Sequence, residues 1–128
     1  MREILFRGKR IDNGEWEYGG CVSTENEVFL IYNQTHSIDL EPHTVEKGTV
    51  GQYTGLTDRN GKKIFEGDIV KGFYRPTDKL ICGSVKYENH LARMLIINRG
   101  VCAGLSHCHH VEVIGNIHDN QDLIGESV

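Results

Sequence analysis

The chain has 128 residues, 38% of them hydrophobic and 25% charged, with a net charge of −4. That is the size of one ordinary domain, or of two very small ones sharing a core. No run of about 18 apolar residues occurs, which excludes a membrane-spanning helix. The charged start MREILFRGKRID leaves no room for a signal-peptide apolar region, so the chain is expected to be cytoplasmic. In that compartment Cys21, Cys82, Cys102 and Cys108 are expected to be free thiols.

Fifteen glycines against two prolines suit a chain of short elements and many reversals, because Gly permits positive φ at tight turns and bulges. The first reversal is Asn13-Gly14, between GKRID and EWEYGG, and the second is Asn60-Gly61, between TGLTDR and KKIFEGDIV. Asn-Gly is the strongest short-range hairpin signal, and a type I′ turn, with φ > 0 at both central residues, is expected at each. RIDNGEWEYGG and LTDRNGKKIFEGD also resemble each other. Between these hairpins VFLIY (28–32) has strand length, SIDLEPHTVEKG reads as an irregular crossing, and a strand follows around Val50–Thr54.

After the second hairpin, 68–74 reads as a strand and Arg75-Pro76-Thr77-Asp78 as a turn. Pro sets φ there, and the Asp78 carboxylate is expected to bond back to the backbone. KLICGSVKYE (79–88) and LARMLIIN (91–98) follow as strands across a turn at Asn89-His90. Leu91, Met94 and Leu95 would also share a helical face, but the Ile96-Ile97 end and the short length favour strand. HVEVIGNI (110–117) alternates as a strand does, and DNQDLI closes with at most one helical turn. Eight or nine short strands at this spacing predict an all-β fold of two small barrel-like subdomains, 1–51 and 52–128.

The block Thr49–Val70, TVGQYTGLTDRNGKKIFEGDIV, resembles the central signature of the YopX family of phage and prophage proteins. REILFRGKRIDNGEWEYGG is similar to the family's opening and VEVIGNIHDNQDLI to its close, with Gln121 where that pattern has proline. The stretches 23–45 and 73–110 contribute little to the resemblance. It implies a phage or prophage origin and a β-rich fold with an SH3-like second half, rather than an activity.

Candidate chemistry is sparse. Cys102, His107, Cys108, His109 and His110 are zinc-type ligands within nine residues. On a strand, His107 and His109 would face one way and Cys108 and His110 the other. His-x-His supplies two ligands where a structural site needs four, so a His-rich surface loop is the preferred reading, and neither metal nor cofactor is expected. Glu66 and Asp68 bracket a turn glycine and read as solvated carboxylates rather than an acid–base pair. Asp58-Arg-Asn60-Gly61 opens like a calcium loop, but the downstream ligands are missing, so it reads as a hairpin.

Charge is uneven. Residues 1–51 hold five Lys/Arg against nine Asp/Glu, 59–99 hold nine against four, and the last 29 hold none against four. This basic middle could meet an anionic partner or the chain's own acidic ends. Lys62, Lys63, Lys71, Tyr74, Arg75, Lys86 and Tyr87 are candidate nucleic-acid contacts, since small barrels track single strands with cations and stack bases on aromatics. The alternative places Phe65 and Phe73 in the core and the lysines on solvated strand faces. A net charge of −4 counts against a strong phosphate footprint. The leading expectation is therefore a non-enzymatic phage accessory or regulatory protein that works through protein–protein contacts with a phage or host protein. It is expected to be a homo-oligomer, with nucleic-acid binding as the second reading and no membrane partner.

Overall fold

A computed structural model describes residues 3–25, 29–32 and 42–125. It is all-β, with two antiparallel sheets. The chain divides into two compact units, Met1–Gly55 and Leu56–Val128. Among the described residues no helix is long and apolar enough to cross a membrane.

The first unit holds β1 (Phe6–Lys9), β2 (Trp16–Ser23), β3 (Phe29–Tyr32), β4 (Pro42–Val45) and the start of β5 (Gly51–Thr57). Hydrogen bonding runs in the order β4-β3-β2-β1-β5. Val45 is fully buried and sits against Gly8, where any Cβ would lie only 2.8 Å from a Val45 methyl. The Arg7 guanidinium lies 4.6 Å from the centre of the Trp16 ring, a cation–π contact that covers the ring. β4 falls in the stretch read as irregular; residues 33–41 of that crossing lie outside the described residues.

The second unit holds the end of β5, then β6 (Lys63–Phe65), β7 (Asp68–Tyr74), β8 (Lys79–Glu88), β9 (Arg93–Asn98), β10 (Val101–Gly104), β11 (Cys108–Asn116) and the helical turn α1 (Asp122–Gly125). Its sheet order is β10-β9-β8-β7-β11. A 3-10 turn at Leu105–His107 leads from β10 to β11. Among the described residues these two strands do not pair, so the ladder stays open. Strand alternation sends Val70, Val85, Ile96, Ala103 and Val111 to one face, where they pack with Ile64, Leu105 and Cys108 as the core. β10 lay unread inside the Cys102–His110 run, because four residues of mixed character carry little periodicity.

The two Asn-Gly turns depart from type I′. Gly14 and Gly61 adopt positive φ (72° and 84°), but neither Asn13 nor Asn60 does. Each loop is thus longer, a type I-like turn closed by one left-handed glycine. Side-chain bonding explains the difference. Asn13 Oδ1 accepts the Glu15 amide at 2.9 Å, and Asp58 Oδ1 accepts the amides of Asn60 at 2.8 Å and Lys62 at 2.9 Å. These local bonds hold the central residues right-handed and leave only the glycine to reverse the chain.

Candidate functional site

The second sheet has a solvent face opposite the core. On β7, Val70 and Gly72 point inward while Lys71 and Phe73 point outward. The register aligns His109, Phe73 and Leu80 as one row across β11, β7 and β8, and Glu112, Lys71 and Cys82 as the next. Phe73 is 37% exposed and Leu80 63% exposed. Two large apolar side chains side by side on a polar face are less common than scattered ones.

Between the two rows β11 bulges: His109 to Glu112 spans three residues while β7 spans two. His110 takes the strain, with φ of 53°, a conformation His tolerates better than most residues. The bulge drives Val111 onto β7. A Cβ on Gly72 would lie 3.0 Å from a Val111 methyl and 3.2 Å from its Cα, so glycine there accommodates the approach.

The hairpin at Asp58–Lys62 is hooked to this bulge. The Arg59 amide donates to the Val111 carbonyl at 2.8 Å, and Asp58 Oδ2 accepts the Val113 amide at 3.0 Å. Asp58 is 7% exposed. Desolvation pushes its carboxyl up, but three backbone amides and the Lys62 charge outweigh that and hold it below the ordinary carboxylate value. The result is a groove of about 300 Å³ lined by Arg59, Lys71, Gly72, Phe73, Leu80, His110 and Glu112. Lys71 Nζ lies 3.7 Å from Glu112 Oε2, an exposed pair worth about 0–1 kcal/mol. The Arg59 guanidinium has no side-chain partner among the described residues.

At one end of the groove a polar chain runs from the β7–β8 turn. The Thr77 and Asp78 amides both donate to the Tyr74 carbonyl, as the Pro-containing turn predicts. The Asp78 carboxylate does not return to the backbone as expected: its Oδ1 lies 3.0 Å from His109 Nε2. His109 Nδ1 in turn lies 2.6 Å from His110 Nδ1. Asp78 also has positive φ, 53°, so both ends of this chain rest on left-handed backbone.

The family model described as YopX protein matches residues 5–125. The chain belongs to the YopX family. No curated protein matches it. The Thr49–Val70 block contains the hairpin that delivers Arg59 to the groove, and Phe73, Leu80 and His110 also fall within the matched residues.

The candidate residues read from sequence are partly separated by the YopX fold. Lys71 and Lys86 share the outward face of the sheet, while Tyr74 and Tyr87 alternate to the core side, where Tyr74 packs against the buried cluster. Lys62 sits in the hairpin, Lys63 on β6, and Arg75 in the β7–β8 turn, its amide donating to the His107 carbonyl. Phe65 is buried and Phe73 exposed, so the two aromatics expected in the core part company.

The His/Cys run is divided too. All four cysteines are free. Cys102 is exposed on β10 and His107 sits in the 3-10 turn. Cys108 is buried, its thiol donating to the Gly104 carbonyl at 3.5 Å. Burial pushes that thiol up, against the opposing charge of Arg75, which favours the inert protonated form. The expected pairing of Cys108 with His110 on one face fails because the bulge turns His110 outward beside Phe73, their rings 6.4 Å apart. Among the described residues no three His, Cys, Asp or Glu side chains are placed to share a metal ion.

Asp68 corrects a further expectation. It is 1% exposed rather than solvated, and its Oδ2 accepts the Phe65 amide at 2.8 Å across the turn at Gly67. Sequence reading missed the roles of Arg59, Asp58 and Asp68. An Asp two residues before a turn Asn is a detectable signal for local amide capture, but nothing local predicts its reach to Val113.

Proposed function

We propose that this chain is a non-enzymatic phage accessory or regulatory protein that acts through protein–protein contacts, self-association included. Membership of the YopX family suggests a phage-associated protein. The observation that carries a protein-binding role is the adjacent Phe73–Leu80 pair on the outward face of the second sheet. Complete burial of a side chain of this kind stabilises by about 1.5–3 kcal/mol, which a partner surface can recover. Such anchors, rimmed by polar groups, are where binding energy concentrates in protein interfaces.

Size-exclusion chromatography with light scattering, run on the wild type and on Leu80→Glu, tests this reading. The expected result is a concentration-dependent assembly, or a stable complex with a phage or host protein, that Leu80→Glu abolishes. Assembly and partner capture indifferent to Leu80→Glu and Phe73→Ser together would sink the proposal.

Nucleic-acid binding is the second reading, favoured by Lys71 and Lys86 sharing one face. Its stacking partners are weakened, since Tyr74 and Tyr87 lie on the other side of the sheet. A salt-titrated shift assay with single-stranded DNA and RNA discriminates, because cationic contacts must tighten as salt falls.

A further inference from the structure

The groove carries more information than its apolar floor. We infer that it takes an extended peptide segment presenting an apolar side chain beside a single carboxylate, with one hydrogen-bond donor directed at His110. This rests on the protein-binding reading and specifies its ligand.

The apolar side chain belongs on Phe73 and Leu80, adjacent across β7 and β8. The carboxylate belongs on Arg59. Lys71 already faces Glu112 at 3.7 Å, so the groove retains one uncommitted cation, and Arg matches a carboxylate with paired donors. Glu112 lines the same groove and would repel a second negative charge. One unmatched cation beside a fixed anion suits a lone acidic residue and opposes a string of phosphates.

The donor follows from the order of hydrogen bonds in the polar chain. Asp78, as a carboxylate, can only accept, so His109 must carry its proton on Nε2. With both imidazoles neutral, His109 Nδ1 is an acceptor, and the 2.6 Å contact then places the His110 proton on Nδ1. His110 Nε2 is left with a lone pair and has no partner among the described residues. His110 lines the groove, and that nitrogen selects a peptide N–H or a hydroxyl rather than another acceptor. The left-handed backbone at Asp78 and His110 is the kind of local strain that surrounding structure maintains at binding sites.

The test is an NMR titration of the 15N-labelled full chain with acetyl-Gly-Asp-Phe-Gly-amide, its Lys-Phe and Asp-Ala counterparts, and a short oligothymidylate. The Asp-Phe peptide is expected to shift the amides of Arg59, Phe73, Leu80 and His110. Replacing its Asp by Lys, or using Arg59→Ala protein, should weaken binding about fivefold, the scale of an exposed ion pair. Side-chain 15N spectra of the free protein should show His110 as the Nδ1–H tautomer. Equal binding of the Asp and Lys peptides overturns the carboxylate assignment, and an Nε2–H tautomer overturns the donor assignment. Tighter binding of oligothymidylate in the same groove transfers the site to nucleic acid. If no peptide discriminates but Leu80→Glu still abolishes assembly, the ligand chemistry falls while the protein-binding reading stands. Arg59 and Leu80 are replaced at exposed side-chain positions, and circular dichroism of each variant confirms folding.

Discussion

The hairpins at Asn13-Gly14 and Asn60-Gly61 share turn residues and a left-handed glycine but differ in what holds them. In the first the side chains bond only to near neighbours: Arg10 grips Asp12 with two hydrogen bonds, of 3.0 and 2.7 Å, at the surface. The Arg10 and Gly14 amides bond across the loop, and the Ile11 amide reaches a distant strand at the Thr44 carbonyl, 3.0 Å away. The second likewise bonds a distant strand through its backbone, Arg59 to Val111 at 2.8 Å, and adds a side-chain bond that is not local. Asp58 spends one oxygen on Asn60 and Lys62 and the other on Val113, 55 residues away. An identical turn signal therefore produces a loop tied to a distant strand by its backbone alone in one unit, and by a carboxylate as well in the other.

The comparison is most exposed at the two aspartates. Asp58→Ala should lower the unfolding free energy by about 2–4 kcal/mol, since it strips three part-buried amides of a charged acceptor, measured by urea denaturation. It should also displace Arg59 and the groove signals in NMR spectra. Asp12→Asn, with a carboxylate 63% exposed, should leave the urea midpoint unchanged. Equal losses for the two would mean that the Val113 bond contributes nothing.

The glycines provide the internal control. Gly14 and Gly61 both have positive φ, and a Cβ on either would meet nothing within 4 Å. Alanine at each should cost about 1 kcal/mol, the conformational penalty alone. A much larger loss at Gly61 would indicate that the Asp58 carboxylate tightens the whole turn.

Acid titration sharpens the same contrast. The folded-state pKa of Asp58 is lowered, so its contribution is complete above the ordinary carboxylate value and is lost as pH falls through the lowered folded value. Stability measured from pH 5 downward should therefore fall less steeply in Asp58→Ala than in wild type. Asp12 is also lowered, chiefly by its hydrogen bond to Arg10, but it is solvent-exposed and screened. Asp12→Asn should leave the acid limb unaltered. The smallest effect belongs to Asn13→Ala, which removes one exposed bond to the Glu15 amide; its thermal midpoint should lie within experimental scatter of wild type.

Much of the strand layout was readable. The apolar runs and turn residues mark β3, β5, β7, β8, β9 and β11 to within about three residues, and DNQDLI does end in a helical turn. The strands at 42–45 and 101–104 were not, being four residues each with no alternation long enough to detect. The site was less visible. Phe73 and Phe65 look alike in sequence, and only register decides that one meets Leu80 in solvent while the other is buried. The His107–His110 run suggested alternating ligands, but the bulge at His110 reverses which side chains share a face.

By itself the sequence determined the all-β class, the two hairpins and the YopX relationship, because turn chemistry and strand alternation act over a few residues at a time. Tertiary structure alone decided that Asp58 and Asp68 would be buried, and that Arg59, Phe73, Leu80 and His110 would line one groove. Those outcomes depend on strands distant in the chain meeting in one register, and a single extra residue in β11 changes which side chains face out.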